Sequence, residues 1–568
     1  MTQKAAALAC GLLILSSAAP VGQAGQSPAY PDRWVYVSRN LTRDEHVEEI
    51  RQIAQTASEH GLNGMLFAAG LEGVDRWDAK RIERLGRVKA ACGERQIEIV
   101  PLVWSVGYGT CLGLNPNLAE GLPCADVPFL VAGREARPVT NAAPLVANGG
   151  FEAFANNRMK GFAFHDRPGE ISFADTSVRR SGAASLRLES FGAFEHGHAR
   201  VMQEVAVTPH RQYRVACWVK TDRLEPAGAF KLQVYGPDGC LAPADCKIGA
   251  TADWTRVALV FNSLQCDKVK IYIGLWGGQA GRVWLDDFSL EELALVNVLR
   301  RPGTPVTVRS EDGQAVYEEG RDFERIGDDR LSFAKPREAS PSIRLTEGSR
   351  IADGQRLLVS YCHGTAINDG QVTVCMSEPE LYEHWARSAA AIQRHLGPGK
   401  WFLSMDEIRA GGTCQACRAR KMSLAQILGD CITKQEAIIR AVNPAAKVYI
   451  WSDMLDPNHN AHGHYFLADG DFTDAWKYVP KDLVICCWYF EKREESLRFF
   501  SDHGFETLAG AYYDAEDLAN VAGWISAMNG TPRGRGIMYT TWQNKYRLLP
   551  DFGEAVARDS KPLPSPRK

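Results

Sequence analysis

The sequence has no surplus of either charge. Lys and Arg number 65, Asp and Glu 68, and the net charge is −3. That excludes the electrostatic footprint of a nucleic-acid binder or of a protein held on an anionic membrane. Past its N-terminal apolar stretch it has no run long and apolar enough to cross a bilayer. No Gly-rich dinucleotide or phosphate loop follows its first strand-like segment. It has a Cys-x-x-Cys at Cys414 and Cys417 but no second such motif to complete a zinc knuckle. What remains is ordinary for a globular chain: 45% hydrophobic and 23% charged residues. At 568 residues it is too long for one core, so two or three domains are expected.

Residues 1–24 read as a secretory signal. Lys4 supplies the positive region, Ala5 to Ala19 the apolar one, and Gly22-Gln23-Ala24 the cleavage site. The expectation is an exported protein, periplasmic or extracellular. Without Cys10, 14 of the 15 cysteines remain, and in an oxidising compartment some should pair. Close candidates are Cys111 with Cys124, Cys240 with Cys246, and Cys414 with Cys417.

Residues 31–111 alternate short apolar strands and amphipathic helices. Strands start at 34, 64 and 97. The first helix carries a capping-box pattern, Thr42 with Glu45. The alternation then stops. Residues 144–293 are a succession of short alternating runs such as YRVACWVKT and KVKIYIGLW, the pattern of a β-sandwich. Residues 294–376 form a further β-rich piece. Over 377–552 the strand–helix alternation resumes, with strands starting at 401, 447, 483, 507 and 536. Eight βα units predict an α/β fold, a (β/α)8 TIM barrel interrupted after strand three by a β-sandwich of jelly-roll type.

Catalytic residues of such barrels sit at the C-terminal ends of the strands. Here those ends carry Arg39, Trp104, Asp406-Glu407, Trp451 with Asp453, Trp488, Tyr512-Tyr513-Asp514, and Trp542 with Asn544. Flat aromatic walls suit the C–H faces of sugars, and a carboxylic acid can protonate a glycosidic oxygen. The expected partner is therefore a carbohydrate.

These residues resemble the catalytic barrel of family 20 glycoside hydrolases, the β-N-acetylhexosaminidases. In that family an Asp-Glu pair ends strand four, tryptophans of strands five, six and eight wall the sugar pocket, and strand seven carries a Tyr-x-Asp. The usual His-x-Gly-Gly before the acid pair is absent, with Ser404-Met405 immediately preceding it, and Asn544 stands where the family has an acid. The resemblance implies a retaining, exo-acting enzyme with substrate-assisted catalysis. Glu407 would be acid and then base, Asp406 would orient the acetamido group, and Tyr512 would bond its oxygen. Arg39, Trp104, Trp451, Asp453, Trp488, Asp514, Trp542 and Asn544 would bind substrate. No cofactor is needed for that chemistry. A retaining glycosidase of another specificity would use two protein carboxylates, with Asp453 or Asp514 as nucleophile. A third reading is a glycan-binding protein on a degenerate barrel.

The inserted block, from NGGFE to VWLDDFSLEE, resembles a family 4/9 carbohydrate-binding module. That resemblance implies a structural calcium, held here by Glu152 and Asp287. Cys414 and Cys417 could recruit Cys431 and His459, His462 or His464 to a zinc ion, but a disulfide or plain thiols steadying the strand-four loop is the expected arrangement.

Overall fold

A computed structural model describes residues 30–139, 145–368 and 370–563. The signal read over residues 1–24 lies outside them. Eight parallel strands close into a barrel in chain order. They are Asp32–Ser38, Gly64–Ala68, Glu98–Val103, Lys400–Leu403, Lys447–Trp451, Val484–Cys487, Glu506–Tyr512 and Gly534–Thr540. The first and eighth strands meet in register, Asp32 opposite Gly536 and Val35 opposite Tyr539. Gly536 is required there, because a Cβ would lie 1.7 Å from the carbonyl oxygen of Asp32.

Side chains alternate across the barrel wall, as the period of two demands. Trp34, Tyr36, Phe402, Tyr449, Trp451, Cys486 and Met538 fill the interior. Val35, Val37, Trp401, Leu403, Ile450, Cys487 and Ile537 pack outward against the helices. An α-helix follows each strand except the fifth, which is followed by 3-10 turns at Asp453–Leu455 and Ala475–Tyr478. The first helix, Asp44–Glu59, has no side-chain cap. Thr42 bonds Asn40 instead, so the expected box with Glu45 does not form. The helix Leu424–Val442 has a full box, Ser423 with Gln426.

Residues 104–399 separate the third and fourth strands, which nevertheless pair, Leu102 with Phe402 and Val103 with Leu403. Two five-stranded antiparallel sheets, centred on Ala280–Leu293 and Lys268–Leu275, share one apolar core. A six-stranded sheet lies between them and the barrel in sequence. Its strands come from both sides of the sandwich. Leu122–Ala132 enters, Arg356–His363 returns, and the two pair antiparallel, Leu122 opposite His363. The β-rich piece expected over 294–376 is thus completed by residues 122–138.

Trp104 departs from its expected place. Alternation from Val100 and Leu102 would turn it inward, but its φ of +58° sends it out with Val103. It is 1% exposed, stacks on Trp385 at 5.7 Å, and donates from Nε1 to Ser388 Oγ at 2.8 Å. It is a core residue and lines no sugar site. Replacing it with Ala should cost about 3–5 kcal/mol of stability in denaturant unfolding. Trp104→Phe should keep substrate affinity unchanged, which a sugar-stacking tryptophan would not allow.

Candidate active site

The fourth strand delivers the acids. Phe402 points into the barrel, so Ser404 and Asp406 share its side and Glu407 would face away. The backbone prevents that, since Glu407 has φ of +49°. Its carboxylate meets the Tyr108 hydroxyl, from the loop after strand three, and the Arg409 guanidinium at 3.0 Å. Both partners are donors. Ser404 Oγ donates to Asp406 Oδ1 at 2.9 Å. Burial, with the charge of Glu407 adding to it, pushes the Asp406 carboxyl up to about 6. Gly107 lets the strand-three loop lie against this turn, for a Cβ there would fall 2.3 Å from the Asp406 carbonyl oxygen. Gln371 Nε2 donates to the Glu407 carbonyl at 2.9 Å, and its side-chain oxygen accepts from Arg409.

An aromatic wall surrounds the pair. Trp451 forms a floor, 2% exposed and 4.7 Å from Phe402. Trp542 rises from it to the rim at 42% exposure, 5.9 Å from Trp451 and 4.8 Å from Tyr36. Tyr513 lies parallel to Trp488 at 5.6 Å and edge-on to Trp542 at 5.9 Å. The phenol of Tyr513 is held well above its usual range, by burial first and then by the nearby charges of Asp406, Asp453 and Glu407. His459 packs on Trp488 and Tyr489, and burial lowers its imidazole to about 4.

Tyr512 is not part of this wall. Tyr512, Tyr513 and Asp514 all have positive φ, of +76°, +62° and +60°. That run reverses the strand's alternation. Tyr512 goes outward, 2% exposed and stacked on Tyr539 at 4.2 Å, and Tyr513 takes the inner place. Asp514 is also committed elsewhere. It accepts from Trp542 N at 2.7 Å, Gln543 N at 3.1 Å and the Thr541 hydroxyl, and so shapes the strand-eight loop. Arg39 reaches the same loop through Asn544, pairs with Glu49 on the first helix, and lies near the Tyr546 ring.

Asp453 is fully buried. Oδ2 accepts from Glu407 N at 2.8 Å and from Asn460 Nδ2 at 3.1 Å, while Oδ1 has no partner. It supports the turn that aims Glu407. Tyr108, Arg409, Gln371 and Asn460 were not singled out by sequence, and Tyr513 was named at its strand end without a role. Arg409 lies two residues past Glu407 and Tyr513 within the last expected strand-seven segment. For Tyr108 and Gln371 the sequence holds no signal, because they reach the site through the insertion.

Glu152 and Asp287 meet the same loop of the sandwich. Glu152 Oε2 accepts from Ala183 N at 2.8 Å, and Asp287 is divided between the Ser181 hydroxyl at 2.7 Å and the Arg180 guanidinium. Arg180 supplies the positive charge that a calcium ion would, so this donor set does not fit the ion. All fourteen described cysteines are unpaired, including the three expected pairs. No helix among the described residues is long and apolar enough to cross a membrane.

No family model matches the chain, and no curated protein does. Among solved structures, a family 4 carbohydrate-binding module is similar over 26% of this chain and 99% of its own, with 17% identity and a TM-score of 0.21. A family 61 module solved with β-1,4-galactotriose is similar over 26% and 98%, with 16% identity and a TM-score of 0.20. A rhamnosidase from Novosphingobium sp. PP1Y is similar over 90% of this chain and 55% of its own, with 10% identity and a TM-score of 0.33. At these scores the likenesses carry no argument about activity.

The Asp453 carboxyl is pushed up to about 8, by burial and then by Asp406. A carboxyl whose folded value is raised stabilises the fold at low pH and loses that contribution as pH rises from the unfolded value through the folded one. Asp453→Asn, which cannot ionise, should therefore gain in Tm over the wild type at pH 8 and gain less or nothing at pH 5. An equal Tm difference at both pH values would contradict a buried neutral carboxyl.

Proposed function

We propose that the chain is a glycoside hydrolase working at the barrel mouth with Asp406 and Glu407. One observation carries this reading: two consecutive carboxylates turn to the same mouth, facing a wall of Trp451, Trp488, Tyr513 and Trp542. Such a mouth offers stacking surface for a sugar and a proton for its leaving oxygen.

The preferred substrate is a terminal N-acetylhexosaminide, cleaved with retention. Two carboxylates from one strand end approach a sugar from one side. A retaining enzyme with a protein nucleophile needs its two carboxyls on opposite sides, about 5–5.5 Å apart. The two candidates for the second are occupied, Asp453 beneath the Glu407 turn and Asp514 inside the strand-eight loop. The substrate's own acetamido oxygen supplies the missing nucleophile. The pair holds one proton below about pH 6. The acetamido N–H donates to Asp406, which leaves the proton on Glu407. Glu407 passes it to the leaving oxygen as the acetamido oxygen closes on the anomeric carbon. Tyr513 donates a hydrogen bond to that acetamido oxygen. Glu407 then takes a proton from water as it opens the cyclic intermediate.

Four measurements test this. Aryl 2-acetamido-2-deoxyglycosides should turn over and the corresponding aryl glycosides without the acetamido group should not; the reverse pattern would replace substrate assistance with a protein nucleophile. Glu407→Gln should lower kcat/KM by ~10²–10⁴-fold on substrates with a poor leaving group; wild-type activity in that variant would remove Glu407 from the acid role, and no turnover by the wild type would leave a glycan binder. Tyr513→Phe should cost ~10²-fold in kcat while Tyr512→Phe costs little. Because the carboxyl pair must hold a proton, kcat/KM should fall as pH rises through the Asp406 value of about 6, and Asp406→Asn should displace that limb.

A further inference from the structure

Behind the strand-four loop lies a cluster that the proposed hydrolysis does not use. Glu120, Cys375, Cys414 and Cys417 bring one ligand atom each to within 4.8 Å of one another, and all four are buried. Cys375 Sγ lies 3.5 Å from Cys414 Sγ and 3.6 Å from Cys417 Sγ. Cys417 Sγ lies 3.8 Å from Glu120 Oε2. Zinc–sulfur bonds of about 2.3 Å in a tetrahedron put neighbouring sulfurs about 3.8 Å apart. The observed spacing needs only a small adjustment to reach that.

We propose that these four side chains form a closed structural zinc site, Cys3Glu, pinning the root of the insertion to the catalytic loop. The donor set selects a borderline-soft cation over calcium or magnesium, which prefer oxygen ligands. Four protein ligands leave no open position, as in structural rather than catalytic zinc. The carboxylate is already oriented. Glu120 Oε1 accepts from Thr413 N at 3.1 Å, Thr413 Oγ1 at 2.8 Å and Cys414 N at 3.1 Å. Oε2 is left facing the sulfurs. Such outer-shell bonds are how proteins hold a metal-binding oxygen in place. The buried side chain of Arg301 secures the Glu120 segment by bonding the carbonyls of Asn117 at 2.8 Å and Ala119 at 2.9 Å, and it pairs with Glu378. Cys431 and the histidines at 459, 462 and 464 take no part in the cluster.

The ligands come from three places in the chain. Glu120 lies on the segment entering the insertion and Cys375 on the segment leaving it. Cys414 and Cys417 follow the acid pair by only a few residues. The site would therefore fix the loop that carries Asp406 and Glu407 whatever substrate the mouth takes.

The test is metal content. Protein produced with zinc in the medium and dialysed against metal-free buffer should hold one zinc per chain by plasma mass spectrometry. X-ray absorption at the zinc edge should fit three sulfurs at about 2.3 Å and one oxygen at about 2.0–2.2 Å. Cobalt replacement should give the thiolate-to-metal charge-transfer bands of a tetrahedral site. Cys375→Ser with Cys417→Ser should lose the metal. Should that variant not fold, Thr413→Val keeps every ligand and should weaken zinc binding ~10–100-fold. Wild-type protein without a transition metal, a metal shell lacking sulfur, or full zinc in the double variant would each overturn the proposal.

Discussion

The third and fourth barrel strands must lie side by side although residues 104–399 come between them, and they share only two paired positions. An insertion of that length is tolerable only if it begins and ends at one spot. Otherwise the closure entropy and the strain of a misplaced end would fall on the weakest seam of the barrel. The chain meets this demand by pairing with itself on the way out and back. Leu118 accepts from Cys375 N, Glu120 N donates to Thr373, and Ala119 bridges Val374. Further out, Leu122–Ala132 and Arg356–His363 form the central ladder of the six-stranded sheet. The sandwich hangs from that stalk, and the stalk ends beside the acid pair.

The same closeness explains why the site borrows from the insertion. Tyr108 and Gln371 stand at its two ends, and both touch the Glu407 turn. At the opposite end of the barrel, charges are used differently. Asp32 is fully buried but receives Lys400 at 3.0 Å, Arg535 at 2.6 Å and the Tyr449 hydroxyl at 2.7 Å, and these donors keep its carboxyl below its usual range against the cost of burial. Asp453 has no cation in contact, and its carboxyl moves the other way. The barrel therefore closes one end with paired charge and keeps carboxyls raised above their usual range at the other.

Much of the fold was legible. The eight strand starts read from apolar runs fall within two residues of the observed ones, because a buried parallel strand has to be an apolar run. The acid pair, Trp451, Trp488 and Trp542 were legible as strand ends. The misplacements share one cause. Trp104 was placed at the site as a strand end and Tyr512 by the family resemblance, and in each a left-handed backbone turns the side chain away. Left-handed φ at a bulky residue has no marker in sequence, since tertiary packing has to overcome its local cost. The cysteines were misjudged for a different reason. Spacing along the chain suggested pairs, whereas the neighbours of Cys414 and Cys417 are Glu120 and Cys375, on the segments that enter and leave the insertion.

The sequence by itself determined the layers. Hydrophobic period and turn chemistry are local properties, and they specified a barrel, a sandwich and which strand ends hold acids and aromatics. Only the tertiary structure decided which of those residues face one another. The orientation of Glu407, the exchange of Tyr513 for Tyr512, the occupation of Asp453 and Asp514, and the meeting of Glu120 with three cysteines all depend on contacts between segments far apart in the chain. No local pattern encodes such contacts, because the free energy that fixes them is released only when the barrel closes and the stalk seats against it.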